Sequence, residues 1–287
     1  MPIETLSQRL ALLAPHFETV RPEGAPPFPV VVMLHGCGGR QPFLDGYAEA
    51  LRSVGVASLI VDSHKPRGID RIAASLTICT GARLRGRERA GDLYAAFAWL
   101  REQDWADGAR IFAAGWSHGA WTVLDALALR PGAEMARATG LADLPAEPMQ
   151  GYAGAFLAYP YAGVASMAGR RAPRLAAPTT VIVCGRDHIV GTKVPLAAMA
   201  RLREHGVPIE VNLFPHNTHA FECTPAYDPR VRYDPEATAR AHAVAIGAGG
   251  GDTHGRWRRD PANPEQAVRD HLGLDGELPS VIDVCVC

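Results

Sequence analysis

Gly115-Trp116-Ser117-His118-Gly119 has the form G-x-S-x-G, follows the apolar run Ile111 to Ala114 and precedes a helical pattern beginning near Ala120. On such a strand-to-helix turn the two glycines avoid collisions with neighbouring backbone, and the serine between them is lifted above the sheet edge. A serine hydroxyl is a weak nucleophile at neutral pH, so it needs a base within hydrogen-bond reach and a carboxylate to orient that base. Both follow along the chain. The apolar run Thr179 to Cys184 ends in Gly185-Arg186-Asp187, and the run Ile209 to Phe214 leads into Pro215-His216-Asn217-Thr218-His219-Ala220-Phe221. The set points to acyl transfer with Ser117 as nucleophile, His219 as base and Asp187 as its orienting acid. His216 is the reserve base. His216, His219 and Cys223 lack the helical H-E-x-x-H context and a third ligand, so no metal is expected there.

Residues so far apart in sequence meet only if strand ends gather them. Short apolar runs at Val30 to Leu34, Val56 to Val61, Arg110 to Ala114, Ala153 to Tyr159, Thr179 to Cys184 and Ile209 to Phe214 show little alternation, as strands covered on both faces do. Helical patterns over residues 88–102, 119–130 and 192–204 lie between them. Strands alternating with helices predict βαβ units, hence an α/β fold with a doubly wound, mostly parallel sheet flanked by helices. A helical segment from Pro235 to Ala245 runs into Gly247-Ala248-Gly249-Gly250-Gly251, which divides the chain into a domain at 1–246 and a Gly-rich extension at 247–287, either weakly attached or partly disordered. The stretch Pro131 to Gln150 leaves no room for a large lid domain.

Composition bounds the function further. With 287 residues, 47% hydrophobic and 21% charged, the chain can bury a sizeable core. Lys plus Arg is 29 against 30 for Asp plus Glu, which gives no overall attraction to nucleic acid or anionic lipid. No run approaches a membrane span, and Glu4 and Arg9 interrupt what a signal peptide would need to be apolar, so a cytoplasmic location is expected. The six cysteines are irregularly spaced, and most read as buried thiols. Arg83, Arg85, Arg87 and Arg89 read as a solvated loop and helix start.

Together, His35-Gly36-Cys37-Gly38-Gly39, Asp62-Ser63-His64-Lys65-Pro66-Arg67-Gly68, the serine turn, Tyr159-Pro160, Gly185-Arg186-Asp187 and His219-Ala220-Phe221 give the chain a resemblance to the dienelactone hydrolase family, over residues 28–245. The resemblance implies the α/β-hydrolase fold and the same roles for Ser117, Asp187 and His219. It also implies an oxyanion hole made by the backbone N–H of His118 and, from the loop after the first strong strand, of Cys37. Gly36, Trp116 and Arg67 are then the expected substrate-binding residues. Two features depart from the family. Dienelactone hydrolases proper carry cysteine where this chain has Ser117, which makes a general carboxylic ester or lactone the expected small-molecule substrate. The Gly-rich run stands where a plain C-terminal helix would be. A bridge among Cys37, Cys79 and Cys223, as extracellular relatives could use, is the alternative to free thiols. No cofactor is required, and a monomer or homodimer is expected. Two rivals are a prolyl-oligopeptidase-like serine peptidase, for whose gating domain the chain has no room, and a hydrolase-shaped binding protein without turnover.

Overall fold

The computed structural model describes residues 3–249 apart from residues 169 and 227. Its strands are β1 (Phe17–Val20), β2 (Phe28–Leu34), β3 (Ala57–Val61), β4 (Ala106–Trp116), β5 (Tyr152–Ala158), β6 (Thr179–Cys184) and β7 (Ile209–Phe214). They form one sheet in the order β1-β3-β2-β4-β5-β6-β7, parallel throughout except for β1, which runs antiparallel to β3 at the edge. The helices are α1 (Leu6–Leu13), α2 (Phe43–Arg52), a single turn α3 (Arg71–Ala73), α4 (Gly86–Arg101), α5 (His118–Ala128), α6 (Ala133–Thr139), α7 (Lys193–Glu204) and α8 (Pro235–Gly249).

Side chains of successive strand residues point to opposite faces, so a strand buried on both sides must be apolar at every position. In β2, Val30, Val32 and Leu34 belong to one buried cluster with Leu93 and Phe97 of α4 and Val123 and Leu127 of α5. Val31 and Met33 pack on the other side with Leu44, Tyr47 and Leu51 of α2 and Ala241 and Ala245 of α8. The unalternating runs of β2, β3 and β6 are this double burial, whereas the run Ile209 to Phe214, expected to be covered on both faces, is the edge strand β7 and is buried only at Val211 and Phe214. β2 feeds a helix on one face and its neighbour β4 feeds a helix on the other, and the carboxyl ends at such a reversal are where open α/β sheets bind their ligands.

One helix end differs from expectation, and one strand was not expected. The last helix continues through Gly247 to Gly249, past the helix end expected at Ala245, because Ala245 and Ala248 are buried on the sheet and Gly249 lies against Val31 and Leu51, where a side chain would crowd. Tertiary packing there outweighs the roughly 1 kcal/mol that glycine costs a helix. The remainder of the expected extension lies outside the described residues. Strand β1 carries only four residues, two of them exposed, and has no apolar run to announce it.

Candidate active site

The serine turn is built by crowding. Ser117 sits at φ +54°, ψ −109°, a conformation costly for a residue with a side chain, and it is held there by Ser117 N–H donating to the Ala158 carbonyl at 2.9 Å and by Trp121 N–H donating to the Ser117 carbonyl at 3.0 Å. A Cβ at Gly115 would overlap the Gly119–Ala120 backbone, and one at Gly119 would overlap the carbonyl of Leu34. Only glycine lets the start of α5 pass that close to β2.

Strand ends then bring the three distant residues together. His219 Nε2 lies 2.9 Å from Ser117 Oγ, and His219 Nδ1 lies 2.7 Å from Asp187 Oδ2. Asp187 Oδ1 accepts from the backbone N–H of Ile189 and of Val190, each at 2.9 Å, so the carboxylate is fixed on both oxygens. With the carboxylate accepting at Nδ1, the proton of a neutral imidazole resides on Nδ1 and Nε2 faces the hydroxyl as an acceptor. The ring of Tyr159 lies against that of His219, centroids 4.6 Å apart, and limits its tilt.

The loop after β2 is aimed by the same kind of bookkeeping. Gly36 lies beside the nucleophile, its would-be Cβ 3.6 Å from Ser117 Cβ. Its carbonyl accepts from His35 Nδ1–H at 2.7 Å and from Gly39 N–H at 3.3 Å. His35 Nε2 accepts from Ser63 N–H at 3.1 Å, which makes the ring neutral with its proton on Nδ1. Burial, reinforced by the Arg89 charge, holds its pKa below the ordinary histidine value. In a planar trans peptide the carbonyl and the following N–H point opposite ways, so tying down the Gly36 carbonyl turns the Cys37 N–H to the opposite side of that peptide.

Cys37 and Cys79 are joined in a disulfide, which ties this loop to the segment after β3. The alternative left open by the sequence is thereby decided for this pair; Cys184 and Cys223 are buried free thiols, while Cys285 and Cys287 lie outside the described residues. A bridge enclosing a loop of this length contributes about 2–4 kcal/mol. Cys79→Ser is expected to melt several degrees lower than wild type and to lose turnover several-fold, with dithiothreitol reproducing both effects in the wild type. A variant melting within about one degree of wild type would show that the bridge constrains nothing.

A family model described as the dienelactone hydrolase family matches residues 18–247, most of the chain. The chain belongs to the dienelactone hydrolase family. Among solved structures, a putative dienelactone hydrolase from Klebsiella pneumoniae is similar with a TM-score of 0.62 at 15% identity, over 82% of this chain and 92% of that one. Dienelactone hydrolase from Anabaena variabilis gives 0.55 at 22% identity, over 80% and 88%. The butyrate-bound esterase 2 of Thermogutta terrifontis gives 0.56 at 16% identity, over 80% and 86%. At these identities the likeness shows the fold. No curated protein matches the chain.

Within this member of the dienelactone hydrolase family, two expected substrate-binding residues sit elsewhere. Trp116 is 1% exposed and packs against Phe43, Tyr47 and Phe156 under the sheet, because the last strand residue before the turn points to the α2 and α8 face. Arg67 is engaged with Asp92, donating to Oδ2 from Nη1 at 2.9 Å and to Oδ1 from Nη2 at 2.7 Å, and Nη1 also donates to the Ser63 carbonyl. The carboxylate that takes it comes from α4. His216 is exposed and outside the Ser117–His219–Asp187 chain, and His188 Nε2 lies 3.5 Å from Asp228. Among the described residues no group of three or more His, Cys, Asp or Glu is placed to hold a metal ion.

Glu222, three residues after His219, escaped the sequence reading. It is buried, and its two carboxyl oxygens accept from Tyr47 OH at 2.8 Å and Tyr159 OH at 3.0 Å, pinning the histidine loop to α2 and to the end of β5. A lone acid between Phe221 and Cys223 was the available signal. Burial pushes its carboxyl up to about 7, from 4.5. The folded state therefore keeps a proton that the unfolded chain has already released. That contribution is full below pH 4.5 and is lost as pH rises through about 7. Glu222→Gln should abolish this part of the decline, so that the variant gains on wild type between pH 5 and 8 in paired thermal melts. A constant difference across that range would contradict the buried, protonated carboxyl.

Proposed function

We propose that the chain is a serine carboxylesterase acting on small or medium carboxylic esters or lactones through an acyl-enzyme intermediate. The observation that carries the reading is Ser117 Oγ at 2.9 Å from His219 Nε2, on a residue forced to φ +54° above the sheet edge. Ser117 attacks the carbonyl while His219 Nε2 takes its proton. Asp187, accepting from Nδ1–H, fixes the tautomer and stabilises the imidazolium that forms. The tetrahedral oxyanion is received by the N–H of His118, at the positive end of α5, and by the N–H of Cys37. His219 returns the proton to the leaving alkoxide, then activates water to release the acid.

The Cys37–Cys79 bridge counts against a cytoplasmic location, since such bonds persist in oxidising compartments. Among the described residues no helix is long and apolar enough to cross a membrane. The absence of a large insertion between α5 and β5 supports an open pocket and short acyl groups, and the Thermogutta esterase 2 is described with butyrate bound.

A series of p-nitrophenyl esters of increasing acyl length, with a short peptide anilide as control, tests the reading. The expected profile peaks at short acyl chains, with the anilide far slower. Preference for long-chain lipid esters, or amide turnover as fast as ester turnover, would overturn it.

A further inference from the structure

Three of the four arginines at 83, 85, 87 and 89 follow the sequence expectation of a partly solvated run, and the fourth does not. Arg89, in the first turn of α4, is fully buried. Among the described residues no carboxylate lies within ion-pair distance of it; Asp92, one turn further along α4, is taken by Arg9 and Arg67. Nor does its Nη2 have a hydrogen-bond partner. A buried charge with no carboxylate in direct contact is expensive, even with Asp92 and Asp62 near enough to act on it through space, and it persists only where the surrounding contacts require it.

Those contacts are specific. Arg89 Nε donates to Ser63 Oγ at 2.8 Å. Its Nη1 carries two hydrogens: one goes to the His35 carbonyl at 2.7 Å and the other to His118 Nδ1 at 3.3 Å. His35 opens the loop that presents the Cys37 N–H, and His118 is the residue whose own N–H receives the oxyanion of the tetrahedral intermediate in the proposed reaction. One nitrogen thus spans the two halves of the oxyanion hole.

We propose that Arg89 is a positioning residue of the oxyanion hole, setting the separation of the Cys37 and His118 donors through its bonds to the His35 carbonyl and the His118 ring. The proposal rests on the esterase reading. The fork geometry matters because donors must meet the oxyanion, rather than the ground-state carbonyl, at hydrogen-bond distance, and this is an effect on kcat more than on KM. Charge alone does not supply it. A lysine at 89 has a single nitrogen and cannot reach Ser63, His35 and His118 together.

Arg89→Lys and Ser63→Ala, titrated with a fluorophosphonate ester so that rates are expressed per reactive site, provide the test. Wild type and both variants are expected to label stoichiometrically at Ser117. In Arg89→Lys, kcat and the labelling rate should fall about 10- to 100-fold with KM within about threefold, below the roughly 10²–10³-fold loss from deleting a donor outright. Ser63→Ala, which leaves the guanidinium in place without its Nε acceptor, should show the same signature at about 3- to 10-fold and decides the matter if the lysine variant does not fold. Unchanged kcat per labelled site alongside a lower melting temperature would make Arg89 a purely structural residue and overturn the proposal, as would a rise in KM at constant kcat. An unlabelled wild type is a separate result: it would remove the esterase reading, and this proposal with it.

Discussion

Ser117→Ala is expected to reduce kcat for a short ester by about 10⁶-fold while leaving the protein folded, because removal of the nucleophile alone disables the whole Ser-His-Asp unit. At roughly 1.4 kcal/mol per decade that is about 8 kcal/mol of transition-state stabilisation lost with the unit as a whole. Stability should hardly change. Ser117 makes no side-chain cap at the start of α5, and alanine at φ +54° bears the same backbone strain that serine does. Ser117→Gly should be equally inactive yet melt no lower than the alanine variant, since glycine adopts a positive φ without the Cβ penalty of about 1 kcal/mol. Intact mass after exposure to a fluorophosphonate provides the check, with one adduct expected on wild type and none on either variant. Ester turnover by the alanine variant above about one per cent of wild type would remove Ser117 from the mechanism.

Asp187→Asn should cost about 10⁴-fold in kcat with KM little changed. The substitution is nearly isosteric, and an asparagine oxygen at the Oδ1 position can keep the bonds from Ile189 and Val190 N–H. Its amide nitrogen then faces His219 Nδ1 and can only donate. The imidazole is driven into the other tautomer, with its proton on Nε2 pointing at Ser117 Oγ, where it can no longer accept the serine proton. The expected signature is full but slow phosphonate labelling in a protein of near-native melting temperature. A loss smaller than tenfold would mean that another group orients His219.

How much of this was legible beforehand follows the range of the interactions involved. The serine turn was readable because its requirements are local: glycine at 115 and 119, an apolar strand before and a helix after all lie within a few residues. Asp187 and His219 were readable because each directly follows an apolar strand run, and parallel strands deliver their carboxyl ends to one edge. Helix α2 was a missed opportunity of the same local kind, with Leu44, Tyr47, Ala48 and Leu51 spaced as one buried stripe.

The chain by itself thus determined the α/β architecture, the Ser117, Asp187 and His219 set and the loop that carries Cys37. What only the tertiary structure decided were the partners of groups whose burial depends on remote residues. Cysteines 37 and 79 are joined because the loops after β2 and β3 emerge side by side from adjacent strands. Arg67 pairs with Asp92 rather than lining a substrate site, Trp116 lies under the sheet, and Glu222 accepts from the hydroxyls of two tyrosines. Arg89 looked like one member of a solvated run because periodicity records which residues are apolar, whereas the cost of burying a charge is offset by hydrogen-bond acceptors supplied from three other elements. Spacing along a chain encodes local geometry; the identity of a buried polar group's partner is encoded only where the elements meet.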